Sequence, residues 1–312
     1  MVRYIFILCT FIFADEANHL LLIQIVTEGG TVSSPNAAES FSIYNPTGSP
    51  INLSDYYICD NENYYKMQTE GDMSPASHHA LGFPTTGFSA RFPDRSIDPG
   101  DTLMIVLHEN YNVFYQDKIL PDLVMFGNSD SSLLPTASGS FGSKSNKIED
   151  NAEMLILFSW DGTPESLIQD VDYFLWGNSQ SAVDKPTLSG YKEDTPAEYQ
   201  LYFETEAPEG SAYSRIGVDE IGELETTSGH DETSENFRVS WEVIEIFEMG
   251  CTDTNAPNYN STAEIDDGSC FIPFTDIING QYDCNASSNG YCDSSPTCPV
   301  VRLRGLIIDY FD

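Results

Sequence analysis

The chain has 312 residues, 40% of them hydrophobic and 12% aromatic, enough apolar side chain for one large β-domain or two modest ones with a real core. With 49 acidic against 13 basic residues the formal net charge is -36, which repels phosphate backbones and anionic headgroups and argues against nucleic acid as a direct ligand of this portion. A surface that acidic suits saline, marine-like surroundings or divalent cations, which screen or coordinate carboxylates.

The N-terminal MVRYIFILCTFIFA carries one basic residue at Arg3, an apolar stretch from Tyr4 to Phe13 and a small residue at Ala14 before Asp15 and Glu16. That pattern predicts a signal peptide over residues 1–14, cleaved after Ala14; the competing reading is a buried first strand. The apolar run is far shorter than the roughly 20 residues that span a bilayer, so no transmembrane anchor is expected. Cleavage removes Cys9 and leaves six of the seven cysteines, an even number that fits an oxidising compartment and a secreted or cell-surface location.

Further along, short β-patterned segments alternate with long polar connectors, and no convincing amphipathic helix is present. The expected strands are Leu20 to Thr27, Glu39 to Tyr44, Tyr56 to Cys59, Thr102 to Leu107, Met154 to Phe158, Val171 to Trp176, Ala212 to Ile216 and Arg238 to Phe247. Connectors rich in Ser, Gly, Pro and Asn occupy residues 60–100, 127–150 and 177–210. Asn45-Pro46-Thr47-Gly48 and Asp98-Pro99-Gly100-Asp101 read as turns in which Pro fixes φ and Gly permits a positive one. An all-β sandwich with long loops buries such elements naturally.

The runs AESFSIYNPTGSPINLSDYYICD, IDPGDTLMIV, AEMLILFSWDG and VDYFLWG, in that order, resemble the lamin tail domain. Glu39 to Pro46 matches its acidic strand and Tyr-Asn-Pro turn, and Leu53 to Tyr56 its Leu-Ser-Asp-Tyr strand; SAYSRIGVDEIGELETTSGHDETSENF is similar to the closing segment of secreted bacterial members. The resemblance covers roughly residues 18–245 and sets a domain over 18–248. It implies an immunoglobulin-like β-sandwich serving as a non-catalytic binding or attachment module in exported proteins, often beside hydrolase domains. No catalytic residues come with it. Glu39, Tyr44, Asn45, Pro46, Tyr56 and Trp176 are accordingly structural: aromatics that pack the core or turns, turn formers, and a buried indole.

Candidate chemistry elsewhere is thin. His78 and His79 are adjacent and point to opposite faces of an extended segment, which disfavours a shared metal. Ser228, His230 and Asp231 are close in sequence, but a triad is defined by spatial geometry, and the resemblance makes this stretch a surface turn. No lysine-bearing phosphate loop and no HExxH helix occur.

GCTDTNAPNYNSTAEIDDGSC, residues 250–270, is the remaining candidate. It is similar to a cysteine-bracketed motif of large marine bacterial surface proteins, although it occurs once rather than in tandem. Pairing Cys251 with Cys270 closes a loop of about 20 residues and restricts the unfolded chain by roughly 3 kcal/mol in the chain-entropy account. A connector with so few apolar side chains needs that staple. Asp253, Asn255, Asp266 and Asp267 supply oxygen ligands at close spacing that suit calcium; the alternative is that they cap turns with their side chains.

Residues 271–312 hold Cys284, Cys292 and Cys298 in a Ser/Asn/Gly loop, then VVRLRGLIIDYF, which alternates as a half-exposed strand and resembles the opening strand of a small β-barrel in some secreted nuclease-like proteins. The expectation is a further β-domain that continues past residue 312, the competing reading being a last strand that adds to the main sandwich, with Cys59, Cys284, Cys292 and Cys298 of undecided pairing. Two functions follow. One is a non-catalytic surface module with an unknown extracellular ligand, no required cofactor, calcium as the one candidate ion, and covalently linked downstream domains. The other is the N-terminal accessory region of a secreted nuclease- or phosphoesterase-like hydrolase whose catalytic domain lies downstream.

Overall fold

The computed structural model describes residues 16–27, 36–67, 87–136, 140–141, 147–162, 166–185, 194–226 and 229–271. The expected signal peptide, His78, His79, Ser228, Cys284, Cys292, Cys298 and the final strand lie outside the described residues. The chain divides into two compact units between Ile246 and Phe247.

The first unit is all-β, the class the sequence predicts. In chain order its strands are β1 (Leu21–Val26), β2 (Ser40–Tyr44), β3 (Ile51–Asn52), β4 (Tyr56–Cys59), β5 (Ser89–Arg91), β6 (Ser96–Ile97), β7 (Thr102–Val106) and β8 (Leu123–Val124). They continue as β9 (Leu134–Pro135), β10 (Glu153–Ser159), β11 (Gln169–Trp176), β12 (Ser211–Arg215), β13 (Leu224–Thr226), β14 (Gly229–Asp231) and β15 (Trp241–Glu245). All eight expected strands form. The last starts later than expected, because Phe237–Ser240 coil into a helical turn: Phe237 and Ser240 are buried there and Ser240 Oγ donates to Asn236 O at 3.1 Å. Strands of two or three residues, such as β5, β8 and β9, give no measurable alternation and were invisible to periodicity. A five-residue helix, Tyr111–Tyr115, is likewise too short for an amphipathic pattern, and it stops where Gln116 turns left-handed at φ 46°.

Two sheets carry the unit. One has the order β15-β12-β1-β2-β7-β8, antiparallel except for the parallel β7–β8 pair; the other, β11-β10-β4-β5-β9, is antiparallel throughout. They pack face to face around one continuous apolar cluster. At its centre Phe174 of β11 stacks on Trp241 of β15 with centroids 3.9 Å apart and meets Tyr213 of β12 at 5.4 Å. Each such pair contributes about 0.5–1.5 kcal/mol beyond its buried area. Trp176, fully buried, donates its indole N–H to Glu149 O at 3.1 Å.

The turn residues explain their own presence. Asn45 is fully buried at the end of β2; its Nδ2 donates to Ser49 O and Ile97 O at 2.9 and 3.0 Å, and its Oδ1 accepts from Thr47 N and Oγ1 at 3.0 and 2.7 Å. Its backbone N–H donates to Asp101 O and its carbonyl accepts from Gly100 N, so the two Pro-Gly turns are tied to one side chain and one peptide. Gly100 stands at φ +79°, which only glycine adopts freely.

In the second unit β16 (Met249–Gly250) pairs in parallel with β17 (Ile265–Asp266), and Cys251 is disulfide-bonded to Cys270 with Cα atoms 4.6 Å apart.

Asn45→Ala leaves two carbonyls and an amide of the joined turns without their partner. The expected loss is about 2–4 kcal/mol, read as a lower urea midpoint with an unchanged m-value; a midpoint equal to the parent's refutes this role for Asn45.

Candidate functional site

The sequence-predicted residues of the cysteine motif sit in capped turns. Asp253 Oδ1 accepts from Asn255 N at 2.9 Å and from its Nδ2 at 3.1 Å. Asp266 Oδ1 takes Gly268 N at 3.0 Å and Asp267 Oδ1 takes Ser269 N at 2.8 Å. Each carboxylate is thereby bound to the backbone two residues on, the local geometry of the turn-capping alternative.

Glu39, the acidic residue immediately ahead of β2, is fully buried, and its Oε2 accepts from Lys147 N at 2.7 Å, Ile148 N at 3.2 Å and His108 Nε2 at 2.9 Å. Tyr44 and Tyr56 are half-buried at strand ends, as is Pro46 in its turn. Asp231, of the His230 stretch, is buried; its Oδ1 accepts from Thr233 N and Oγ1 at 3.1 and 2.6 Å, and Oδ2 from Thr195 Oγ1 at 2.8 Å. Asp231 thus caps the 3-10 turn Glu232–Ser234.

A denser concentration of charge, which sequence reasoning missed, lies between the sheets. Arg215, at the end of β12, is buried; its Nη1 and Nη2 reach Glu235 at 2.7 and 2.9 Å, and Nη2 also reaches Asp172 of β11 at 2.8 Å. Its Nε donates to Leu22 O of β1 at 3.1 Å, and the guanidinium lies 5.5 Å from the Trp241 ring. Asp172 further accepts from Leu22 N at 2.5 Å and Tyr173 N at 2.8 Å. Burial alone would depress the Arg215 pKa, yet the Asp172 and Glu235 carboxylates raise it, so the guanidinium stays charged.

Against this bridge lie His19, just ahead of β1, Glu220 after β12, and Glu232. The pairing of Ala17 N with Val218 O at 3.0 Å draws His19 to the Glu220 loop, and the Asp231 cap fixes Glu232. One ligand atom from each of His19, Glu220 and Glu232 lies within 4.8 Å of the others. Burial disfavours charge on His19, but the Glu220 carboxylate outweighs it and raises the imidazole pKa. Burial and the neighbouring Glu220 carboxylate push Glu223 up to about 9, and burial with Glu223, Glu220 and Asp172 nearby pushes Glu232 well above the carboxylate range. Chemically, the cluster offers an imidazole and carboxylates in a space largely closed to water. His19 lies about 200 residues from Glu220 and Glu232 in sequence and shares no local motif with them, so no spacing signal existed to find the three together.

A second buried group joins Lys185 to Asp170 and to Asp194, the latter at 2.7 Å, under the Tyr64 ring. A third holds Asp60, whose Oδ1 accepts from Phe88 N at 2.8 Å, near Glu153 and Lys147.

No family model matches the chain, and no curated protein matches it. Among solved structures it is similar to the crystal structure of a DUF4876 family protein from Bacteroides thetaiotaomicron VPI-5482, with 12% sequence identity, 79% of this chain and 75% of that chain covered, and a TM-score of 0.38.

Arg215→Met leaves Asp172 and Glu235 buried without their cation. Breaking one partner of such a bridge costs roughly 3–5 kcal/mol, which for a unit of this size lowers Tm by on the order of 10 °C; a calorimetric midpoint within a degree or two of the parent rules out a structural role for the bridge.

Burial pushes the Asp60 and Glu153 carboxyls up to about 8 and about 9, each aided by neighbouring carboxylates. Their folded pKa values lie above the unfolded ones near 4, so the stability they add is complete below pH 4 and is lost as pH rises through 8 to 9. Each contributes a slope of about 1.4 kcal/mol per pH unit while it alone stays protonated. Urea midpoints are therefore expected to fall from pH 5 to pH 8, and to fall less in Asp60→Asn. A midpoint that rises over that range contradicts the assignment.

Proposed function

We propose that this chain is a non-catalytic extracellular or cell-surface module, binding or attaching to an external ligand and spacing neighbouring domains of an exported protein. The observation that carries the reading is the Cys251–Cys270 disulfide in a segment with little apolar material of its own. Such a bridge persists in oxidising surroundings and compensates for a core too small to hold a fold. Three further facts support it. No helix among the described residues is long and apolar enough to cross a membrane. The net charge of -36 keeps a surface protein soluble in salt. The residues that could serve as acids or bases, Asp172, Glu235, Asp170, Asp194 and Glu39, are engaged in internal bridges and hydrogen bonds.

Two measurements test this. The chain recovered from the cell exterior, assayed against phosphomonoester, phosphodiester and nucleic-acid substrates with and without divalent cations, is expected to show no turnover; robust hydrolysis overturns the reading. Replacing both Cys251 and Cys270 by Ser is expected to cost the local fold roughly 3 kcal/mol, seen as about a hundredfold faster amide exchange at Asn260 and Ile265; unchanged exchange there shows that the staple does not hold the segment.

A further inference from the structure

We propose that His19, Glu220 and Glu232 form a binding site for a single divalent transition-metal ion of the zinc type, buried at the end of the inter-sheet charge cluster. Four features of the molecule lead there. The first is convergence: a nitrogen and two carboxylate oxygens from three separate segments lie within 4.8 Å of one another. Three protein ligands of this kind, with a coordination position left for water, make an open zinc-type site.

The second is the tautomer. His19 Nδ1 lies 3.0 Å from Leu20 O, a contact only an Nδ1–H can make favourably, so in the neutral ring Nε2 is the nitrogen that carries the lone pair. Metal-ligating histidines are oriented by such a bond from the other ring nitrogen. The third is that Nε2 faces Glu220 Oε1 at 3.1 Å while neither atom has a hydrogen-bond partner of acceptable alignment. The Glu220 side chain is 6% exposed, so water does not relieve it. A carboxylate oxygen this close to Nε2 calls for positive charge between them, supplied either by a proton on the ring or by a cation bound to both atoms. Two ligands bound at about 2.1 Å at the tetrahedral angle stand about 3.4 Å apart, near the 3.1 Å separation here.

The fourth is charge. Glu220, Glu223 and Glu232 lie beside Asp172 and Glu235, whose shared partner Arg215 is the permanent cation of the group. Buried carboxylates in that excess need a proton or a metal to balance them. Imidazole with carboxylate donors selects zinc, or manganese and cobalt as substitutes, over calcium, whose sites use oxygen alone. His19 is partly exposed, with 18% of its side chain open, which gives the ion an entry path. This site is separate from the capped turns of residues 250–270 and does not depend on the non-catalytic reading above.

The test uses the whole chain, stripped with EDTA and returned to about 0.15 M salt so that the acidic surface is screened. Titration with zinc is expected to show one tight equivalent and a Tm raised by several degrees, and cobalt(II) is expected to give visible ligand-field bands of a low-coordinate nitrogen/oxygen site. Calcium is expected to reproduce neither. His19→Gln and Glu232→Gln are expected to lose the tight equivalent by at least a hundredfold in affinity, and with it the zinc-dependent rise over each variant's own apo Tm, whereas Asp266→Asn retains both. Should a variant fail to fold, cobalt spectra of the parent decide by themselves. The proposal is overturned if the stripped parent takes up no tight zinc, if uptake survives His19→Gln, or if Tm ignores zinc and responds to pH alone, the result expected of a proton shared between His19 and Glu220.

Discussion

The structure depends on one guanidinium. Arg215 projects from the end of a strand in the six-stranded sheet and bridges Asp172 in the middle of a strand of the other, while its remaining donors take Glu235 and the carbonyl of Leu22. Asp172 answers by accepting the Leu22 amide. The two sheets are therefore joined by directional bonds as well as by aromatic packing, and the bonds meet at Leu22, where the β1–β2 register shifts between Leu22 and Gln24. A hydrophobic interface between sheets tolerates sliding; a charge triad with its backbone partners permits one alignment. Desolvation makes such a bridge a poor source of net stability, so its contribution is read more securely as specificity of alignment than as strength.

The arrangement also accounts for the crowd of acids around it. Once a cation is fixed between the sheets, carboxylates from the adjoining loops are drawn toward it, and the last turns of the unit bring Glu220, Glu223, Glu232 and Glu235 to the same end. One arginine cannot neutralise them all. The surplus is balanced by retained protons or by a bound cation, and the choice between these decides whether the cluster is only structural.

Much of the fold was legible from local chemistry. Aliphatic and aromatic runs such as LLIQIV and MLILF declare buried strands, and the Pro- and Gly-bearing turns at Asn45–Gly48 and Asp98–Asp101 announce tight reversals. What was not legible falls into two kinds. Two-residue strands such as Leu134–Pro135 exist because a neighbouring edge recruits them, and nothing within two residues records that. The charge cluster is assembled from Asp172, Arg215 and residues on either side of them in three dimensions, from positions as far apart as His19 and Glu232. In a chain with 49 acidic residues, the carboxylates of this cluster carry no compositional signal. The aspartates of the cysteine motif were conspicuous for the opposite reason, short spacing, and short spacing is what lets each reach the amide two residues ahead and close a turn.

The chain's extreme acidity therefore divides into two populations with different physics. On the surface, carboxylates repel one another across water and are moderated by salt, so they set solubility and choice of partner but little of the fold. Inside, Glu39, Asp60, Glu153, Asp172 and the Arg215 group sit where water does not screen them, and each is held by specific donors or by keeping a proton. Glu39 illustrates the distinction: its sequence position looks like one more surface acid opening a strand, yet its carboxylate gathers the amides of Lys147 and Ile148 and the imidazole of His108, tying a distant segment to β2. In this protein the interior acids determine which segments meet, because a buried carboxylate left without donors would cost more than most single contacts supply.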